Sequence, residues 1–149
     1  MHTSPFLSCV VPAYNEAENL KTFIPALAKS LDQQQLHYEI IVVDDGSQDD
    51  TLHVLQSMVD HYPLIVLELS RNFGKEAALS AGLDRVTGEI TLLIDADFQH
   101  PLDAIPTMIN LWKNGYDMVY GIRNRSSESW LKRILTNHYY KVLNLSSPI

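Results

Sequence analysis

The sequence predicts an α/β domain: a mostly parallel sheet with helices on both faces. Short apolar runs alternate with stretches whose apolar residues recur at helical spacing, the pattern of β-α repeats. The run Ile90-Thr-Leu-Leu-Ile-Asp95-Ala-Asp97-Phe-Gln99-His-Pro101 reads as a buried strand that ends in two carboxylates, an amide and a helix-opening proline. At 149 residues, 46% of them apolar, the chain can bury one real core.

The strands fall, in order, at Phe6–Val11, Glu39–Val43, Leu64–Leu69, Glu89–Ile94 and Asp117–Tyr120. Leu20, Phe23, Ile24, Leu27 and Leu31 form the stripe of the first helix; Asn15 is its expected cap, with Glu18 completing a capping box. Pro25 falls inside that pattern and predicts a kink. A second helix starts at Ser47 and carries Leu52, Leu55, Met58 and Val59 on one face. The third runs from about Gly74 to Val86 and stops near Gly88. The fourth opens at Pro101, turns Ile105, Ile109 and Trp112 inward, and ends at Gly115. Ser129 to Leu145 reads as a fifth, with Leu131, Ile134, Leu135, Val142 and Leu143 as its stripe. With no internal repeat and no linker, residues 1–149 read as one unit.

Composition narrows the function. A net charge of −7 argues against general nucleic-acid binding. The charge is uneven: residues 1–70 carry two basic and ten acidic side chains, whereas residues 123–141 carry five basic ones against Glu128. That C-terminal segment suits either anionic lipid head groups or an ordinary solvated helix face. No run approaches the ~18 apolar residues of a membrane span, and no signal peptide opens the chain. Cys9, alone and inside an apolar strand, reads as core in a reducing, cytoplasmic setting.

Three strand ends carry chemistry. In a parallel sheet they open on one side, where such sheets bind ligands. At the first, Pro12 stops strand pairing, Tyr14 offers a ring for stacking a base, and Glu16 offers an acceptor for a ribose hydroxyl or a base amine. At the second, Asp44 or Asp45 can accept an imino proton, and Gly46 permits a tight turn. At the third, Asp95 and Asp97 repel one another unless a cation sits between them, and oxygen ligands suit Mg²⁺ or Mn²⁺. The segment Ser70-Arg71-Asn72-Phe73-Gly74-Lys75 adds cations and a helix N-terminus, both favourable to phosphate. Taken singly, Tyr14 suits packing, the aspartates suit turns and caps, and Lys75 suits a surface salt bridge.

Val11-Pro12-Ala13-Tyr14-Asn15-Glu16, Val42-Val43-Asp44-Asp45-Gly46-Ser47, Arg71-Asn72-Phe73-Gly74-Lys75 and Asp95-Ala96-Asp97-Phe98-Gln99-His100-Pro101 stand in an order and spacing that resembles the family 2 glycosyltransferases of GT-A type. The similarity is greatest to the polyprenyl-phosphate sugar transferase branch, which includes bactoprenol glucosyltransferases and dolichol-phosphate mannose synthases. The resemblance implies a Rossmann-like GT-A sheet and a nucleoside held by Pro12, Tyr14, Glu16, Val43 and one or both of Asp44 and Asp45. It further implies donor contacts from Arg71, Lys75, Asp95, Ala96 and Arg123, catalytic roles for Asp95 and Asp97, and a Mg²⁺ or Mn²⁺ ion on Asp97 and Gln99.

The implied reaction is inverting transfer of a sugar from a UDP-glucose-like or GDP-mannose-like donor to a polyprenyl phosphate, at the cytoplasmic face of a membrane. Members of the branch continue past the point matching Ile149 into acceptor-side and membrane segments. The expectation is therefore a donor-binding portion, truncated on its C-terminal side, that transfers sugar poorly or not at all. A catalytically dead nucleotide-binding or interaction module of the same fold is the alternative. A phosphoreceiver fits less well because Pro12 and Tyr14 stand where its first acidic residues belong. Phosphatase-type nucleophiles fit poorly because Phe98 and Gln99 follow Asp97.

Overall fold

A computed structural model of the chain describes residues 6–99 and 101–121. The chain divides into two compact units, Met1–Gly115 and Tyr116–Ile149. The first unit contains all the regular structure described below. The fifth helix expected at Ser129–Leu145, the basic segment 123–141 and Arg123 lie outside the described residues.

Four strands, β1 (Leu7–Ala13), β2 (Tyr38–Asp44), β3 (Leu64–Glu68) and β4 (Ile90–Leu93), pair in the order β3-β2-β1-β4, and every pairing is parallel. They alternate with helices α1 (Ala17–Asp32), α2 (Thr51–Met58) and α3 (Lys75–Leu83). A 3₁₀ turn at Leu102–Ala104 leads into α4 (Ile105–Lys113).

Side chains alternate across a strand, and this alternation divides the core. Leu7, Cys9, Val11 and Ala13 of β1 join Ile40 and Val42 of β2 under α1, α2 and α4. Val10, Ile41 and Val43 point the other way, onto Ala78 of α3. Phe23, wholly buried on α1, is the bulkiest side chain of the larger layer; burying a ring of that size contributes about 1.5–3 kcal/mol. On the opposite face α3 lies so close that a Cβ on Gly82 would stand 2.4 Å from Val10 Cγ1. The apolar contact of α3 with β1 and β2 fixes where its N-terminus emerges at the sheet edge.

Several local expectations are corrected. Pro12 does not stop β1, which continues to Ala13 with Pro12 opposite Val43. Ile94 N–H donates to the Val10 carbonyl at 3.1 Å, so even-numbered β1 residues turn their backbone toward β4. The β4 pairing ends at Val10, two residues before Pro12, so the missing N–H forfeits no ladder bond. Asn15 is not the α1 cap. Its φ is 54°, Glu16 occupies the cap position, and Glu18 pairs with Lys21 at 2.5 Å instead of reaching back. Pro25 lies inside α1, which continues on both sides of it.

The second helix begins at Thr51 rather than Ser47, whose N–H and hydroxyl both bind Asp44. Asp49 supplies the start signal, accepting from Thr51 N–H at 3.0 Å. The third helix ends at Leu83, short of Val86. Residues 117–120 form no strand: among the described residues they have no ladder partner, and Met118 is 80% exposed. A strand exists through its neighbour's hydrogen bonds, and apolar composition alone does not make one.

At the amino end of the sheet, the Ser8 hydroxyl donates to Glu39 Oε1 at 2.5 Å, as do Thr87 N–H and Oγ1, each at 2.9 Å. Burial pushes the Glu39 carboxyl up, but these hydrogen bonds and Arg85 outweigh it and hold its pKa below the ordinary value. A carboxyl depressed by folding stabilises above its unfolded pKa of about 4.3, and that contribution is lost as pH falls through the lower folded value. Between about pH 5 and about pH 3 the urea midpoint of the parent chain should fall more steeply than that of Glu39→Gln. Equal slopes would contradict this.

Candidate functional site

A cavity of about 340 Å³ opens at the carboxyl end of the sheet, beside the N-terminus of α3. Its walls combine Pro12 near the end of β1, Tyr14 just after it, Asp45 after β2, Gly74 and Lys75 at the start of α3, and Asp95 and Asp97 after β4. Strand alternation explains the membership. Beyond Val10, the even positions of β1 lead to Pro12 on the α3 face; beyond Ile41 and Val43, the odd positions of β2 lead to Asp45. With Asp95 and Asp97 following β4, the three parallel strands deliver a proline, an aromatic ring and three acids to one cavity.

The loops are fastened to each other by their own polar groups. Asp45, 3% exposed, accepts from Phe73 N–H at 2.8 Å and from Gly74 N–H at 2.9 Å, one on each oxygen. Hydrogen bonds to an ionised group contribute about 1.5–3 kcal/mol each, which offsets the desolvation of a buried carboxylate. Gly46 adopts φ 66°, and a Cβ there would stand 2.4 Å from the Arg71 carbonyl carbon, so only glycine allows this approach. Asn15 N–H donates to Ser47 Oγ at 2.9 Å, while Gln48 N–H donates to Asn15 Oδ1 at 2.8 Å. Glu16 N–H donates to Thr51 Oγ1 at 2.9 Å, so the start of α1 is satisfied from α2 rather than from its own cap.

Lys75 Nζ lies 2.6 Å from Asp95 Oδ1 and 2.7 Å from Oδ2. Asp97 is exposed, and its Oδ1 accepts from Gln99 N–H at 2.9 Å. Ile94 and Ala96 are buried beside them, and Phe98 sits edge-on to Phe23 with ring centroids 5.2 Å apart. Phe98 has φ 55°, a region costing an L-residue roughly 1–2 kcal/mol, against about 0.5–1.5 kcal/mol for a good aromatic pair. Among the described residues lining the cavity, Glu16, Asp45, Asp95 and Asp97 stand against a single cation, Lys75. Among the described residues, no group of three or more His, Cys, Asp or Glu side chains could hold a metal unaided. Of these acids only Asp95 is paired with a described cation; Asp45 is held by backbone amides, and Asp97 is exposed with its charge unpaired among the described residues. Hard divalent ions are held by one or two carboxylates with substrate phosphates completing the shell, so this donor set fits a shared ion.

Of the residues singled out from sequence, Pro12, Tyr14, Glu16, Asp45, Lys75, Asp95, Ala96 and Asp97 line the one cavity. Val43 does not: it is fully buried against α3. Asp44 turns away to Ser47, and Arg71 lies over the Phe73 ring at 4.7 Å, outside the cavity. Gln99 is exposed next to it. The sequence reading missed Asn72, which lines the wall, and Ser47, which ties two loops together. The Asn-x-Gly run before a helical pattern was the available signal for Asn72.

Replacing Asp45 with alanine leaves the Phe73 and Gly74 amides without their acceptor. Such a loss costs about 1–3 kcal/mol, so those two amides should exchange with deuterium roughly tenfold faster or more, while amides of β1 stay protected. Unchanged exchange at 73 and 74 would show that the loop is held by other means.

A model described as glycosyl transferase family 2 matches residues 8–147. An uncharacterized glycosyltransferase of Synechocystis sp. is 41% identical over 148 residues, which is 96% of this chain and 46% of that protein. The bactoprenol glucosyl transferase of Shigella phage SfX is 39% identical over 145 residues, covering 95% and 48% respectively. Among solved structures, the mannosyltransferase PcManGT from Pyrobaculum calidifontis, in complex with GDP-Man and Mn²⁺, has a TM-score of 0.59 at 28% identity. That match covers 72% of this chain and 32% of the other. The chain spans about half the length of the curated relatives it matches. The parallel sheet and its strand-end cavity agree with a match that begins in β1 and takes in nearly every residue: the chain belongs to glycosyl transferase family 2.

Proposed function

We propose that this chain forms the donor-binding portion of a glycosyltransferase that moves a sugar from a nucleotide diphosphate to a polyprenyl phosphate, with inversion at the anomeric carbon. The observation that carries the reading is the convergence of Tyr14, Asp45, Lys75 and Asp97 on one cavity at the end of a parallel sheet. Support for the substrates comes from the relatives: one is a bactoprenol glucosyl transferase, and one structure holds GDP-Man with Mn²⁺. The donor is accordingly UDP-glucose-like or GDP-mannose-like.

Each side chain then has a task set by its surroundings. The Tyr14 ring, 40% exposed, stacks on the base, and Glu16 accepts from a ribose hydroxyl. Asp45 keeps its charge turned to the cavity and accepts an imino proton through a remaining lone pair. Lys75 moves from Asp95 to the diphosphate. An exposed ion pair contributes only about 0–1 kcal/mol, so two phosphate charges beside an α-helix N-terminus compete well for that ammonium. Asp97 and Gln99 hold Mg²⁺ or Mn²⁺, and the bound ion would supply Lewis-acid stabilisation of the departing diphosphate. The need for a cation is electrostatic: four carboxylates against one lysine repel a bare diphosphate.

The acceptor oxygen bonds to the anomeric carbon as the carbon–oxygen bond to the diphosphate breaks on the opposite face. A phosphate monoester with a second pKa of about 6 is largely ionised near neutrality, so the acceptor requires no strong base. Arg71, drawn over Phe73, contributes to the loop's shape, and Arg123 belongs to the proposed donor contacts. Among the described residues no helix is long and apolar enough to cross a membrane. The acceptor and the membrane face are inferred from the relatives.

Calorimetric titration with UDP-glucose and GDP-mannose, each with and without Mn²⁺, tests the reading. One of them should bind with metal dependence, and Asp97→Ala should abolish that dependence. At ~100 times its dissociation constant the ligand should add about 2.7 kcal/mol of stability. Failure of any sugar nucleotide to bind in the presence of Mn²⁺ or Mg²⁺ would reject it.

A further inference from the structure

We propose that Phe98 is a positioning residue for the Asp97 carboxylate, acting through its edge contact with Phe23. The inference rests on the proposed function, in which Asp97 meets a divalent ion. Among the described residues, three non-glycine positions have positive φ: Asn15, Gln35 and Phe98. Asparagine tolerates that region and Gln35 lies in a turn after α1, but a bulky aromatic there is an outlier that its surroundings must hold in place. What holds Phe98 is its contact with Phe23, a fully buried α1 side chain, at 5.2 Å and an interplanar angle of 74°.

The contact does more than cover the core edge. Phe98 remains 45% exposed, so filling space does not account for its strained backbone. On the other side of Asp97, Ala96 is 3% exposed and packed into the same core layer. Asp97 is therefore the single residue between two anchored neighbours. Its Oδ1 is tied to Gln99 N–H at 2.9 Å, across the residue whose φ is inverted. Were Phe98 to relax to negative φ, Gln99 N–H would turn away and the Asp97 side chain would lose its bearing. The Phe98 ring touches no reacting group; it converts a flexible surface carboxylate into one with a fixed direction.

The test measures Mn²⁺ binding to the full 149-residue chain in saturating UDP, from the signal of free Mn²⁺, beside UDP affinity without metal. Phe98→Gly adopts the turn readily but lacks the ring. Its Mn²⁺ affinity should fall roughly tenfold or more, the scale on which groups that orient a metal ligand act, with metal-free UDP binding retained. Phe98→Asn, which tolerates the left-handed backbone, gives the same comparison should the glycine chain unfold. Phe98→Tyr keeps the ring edge and should behave as the parent. Parent-like Mn²⁺ affinity in the ringless variants, or an equal loss in Phe98→Tyr, would overturn the inference while leaving the proposed function intact. A parallel loss of metal-free UDP binding would also overturn it, by marking a general disturbance of the fold. If the parent chain with UDP takes up no Mn²⁺, both readings fall.

Discussion

The site depends on one buried carboxylate. Asp45 emerges from β2 with both oxygens occupied by the Phe73 and Gly74 amides, and by that contact the loop after β3 is brought against the loop after β2. Without it the Phe73 and Gly74 amides would lose the acceptor that holds their loop to the end of β2, although the packing of α3 on β1 and β2 would still place the helix. Gly46 makes the same approach possible sterically, since a side chain there would collide with the Arg71 backbone. Charge and shape therefore enforce a single geometry. An anion that costs several kcal/mol to bury is retained because it organises the donated N–H groups around it.

A second consequence is the charge arrangement of the cavity. Lys75 offsets Asp95, and the charge of Asp97 is left to solvent. A site built this way holds a divalent ion weakly by itself and better when phosphate oxygens complete the shell. The proposed metal requirement and the proposed donor are then two halves of one electrostatic condition.

Much of the architecture was legible from periodicity. Four of the five expected strands exist, with ends shifted by one or two residues. Four of the five expected helices appear, the fifth lying outside the described residues, and Val59 falls past the end of α2, exposed rather than on its buried face. The errors are instructive. Pro12 should have ended β1, but the β4 side of the sheet has already finished there. Asn15 looked like a helix cap and Ser47 like a helix start, yet Asn15 binds the loop after β2 through both its N–H and its Oδ1, and Ser47 donates to Asp44 while accepting from Asn15. Residues 117–120 have the composition of a strand and no described partner to make one. In each case a local propensity met a tertiary contact that satisfied the same groups differently.

The sequence by itself determined that acids, an aromatic ring and a lysine stand at strand ends and at a helix start. Parallel strands carry such residues to one edge whatever the packing details. It could not say which of Asp44 and Asp45 faces the cavity, nor that Val43 is core and Asn72 is wall. The choice between the two aspartates follows from the phase of a two-residue alternation, and Asn72 reaches the wall on the loop that Asp45 holds. The phase is set by which face α3 covers and which face α1 covers, and neighbouring positions of similar chemistry do not encode it. Only the packed sheet, with Ser47 bonded to one aspartate and Gly74 to the other, distinguishes them.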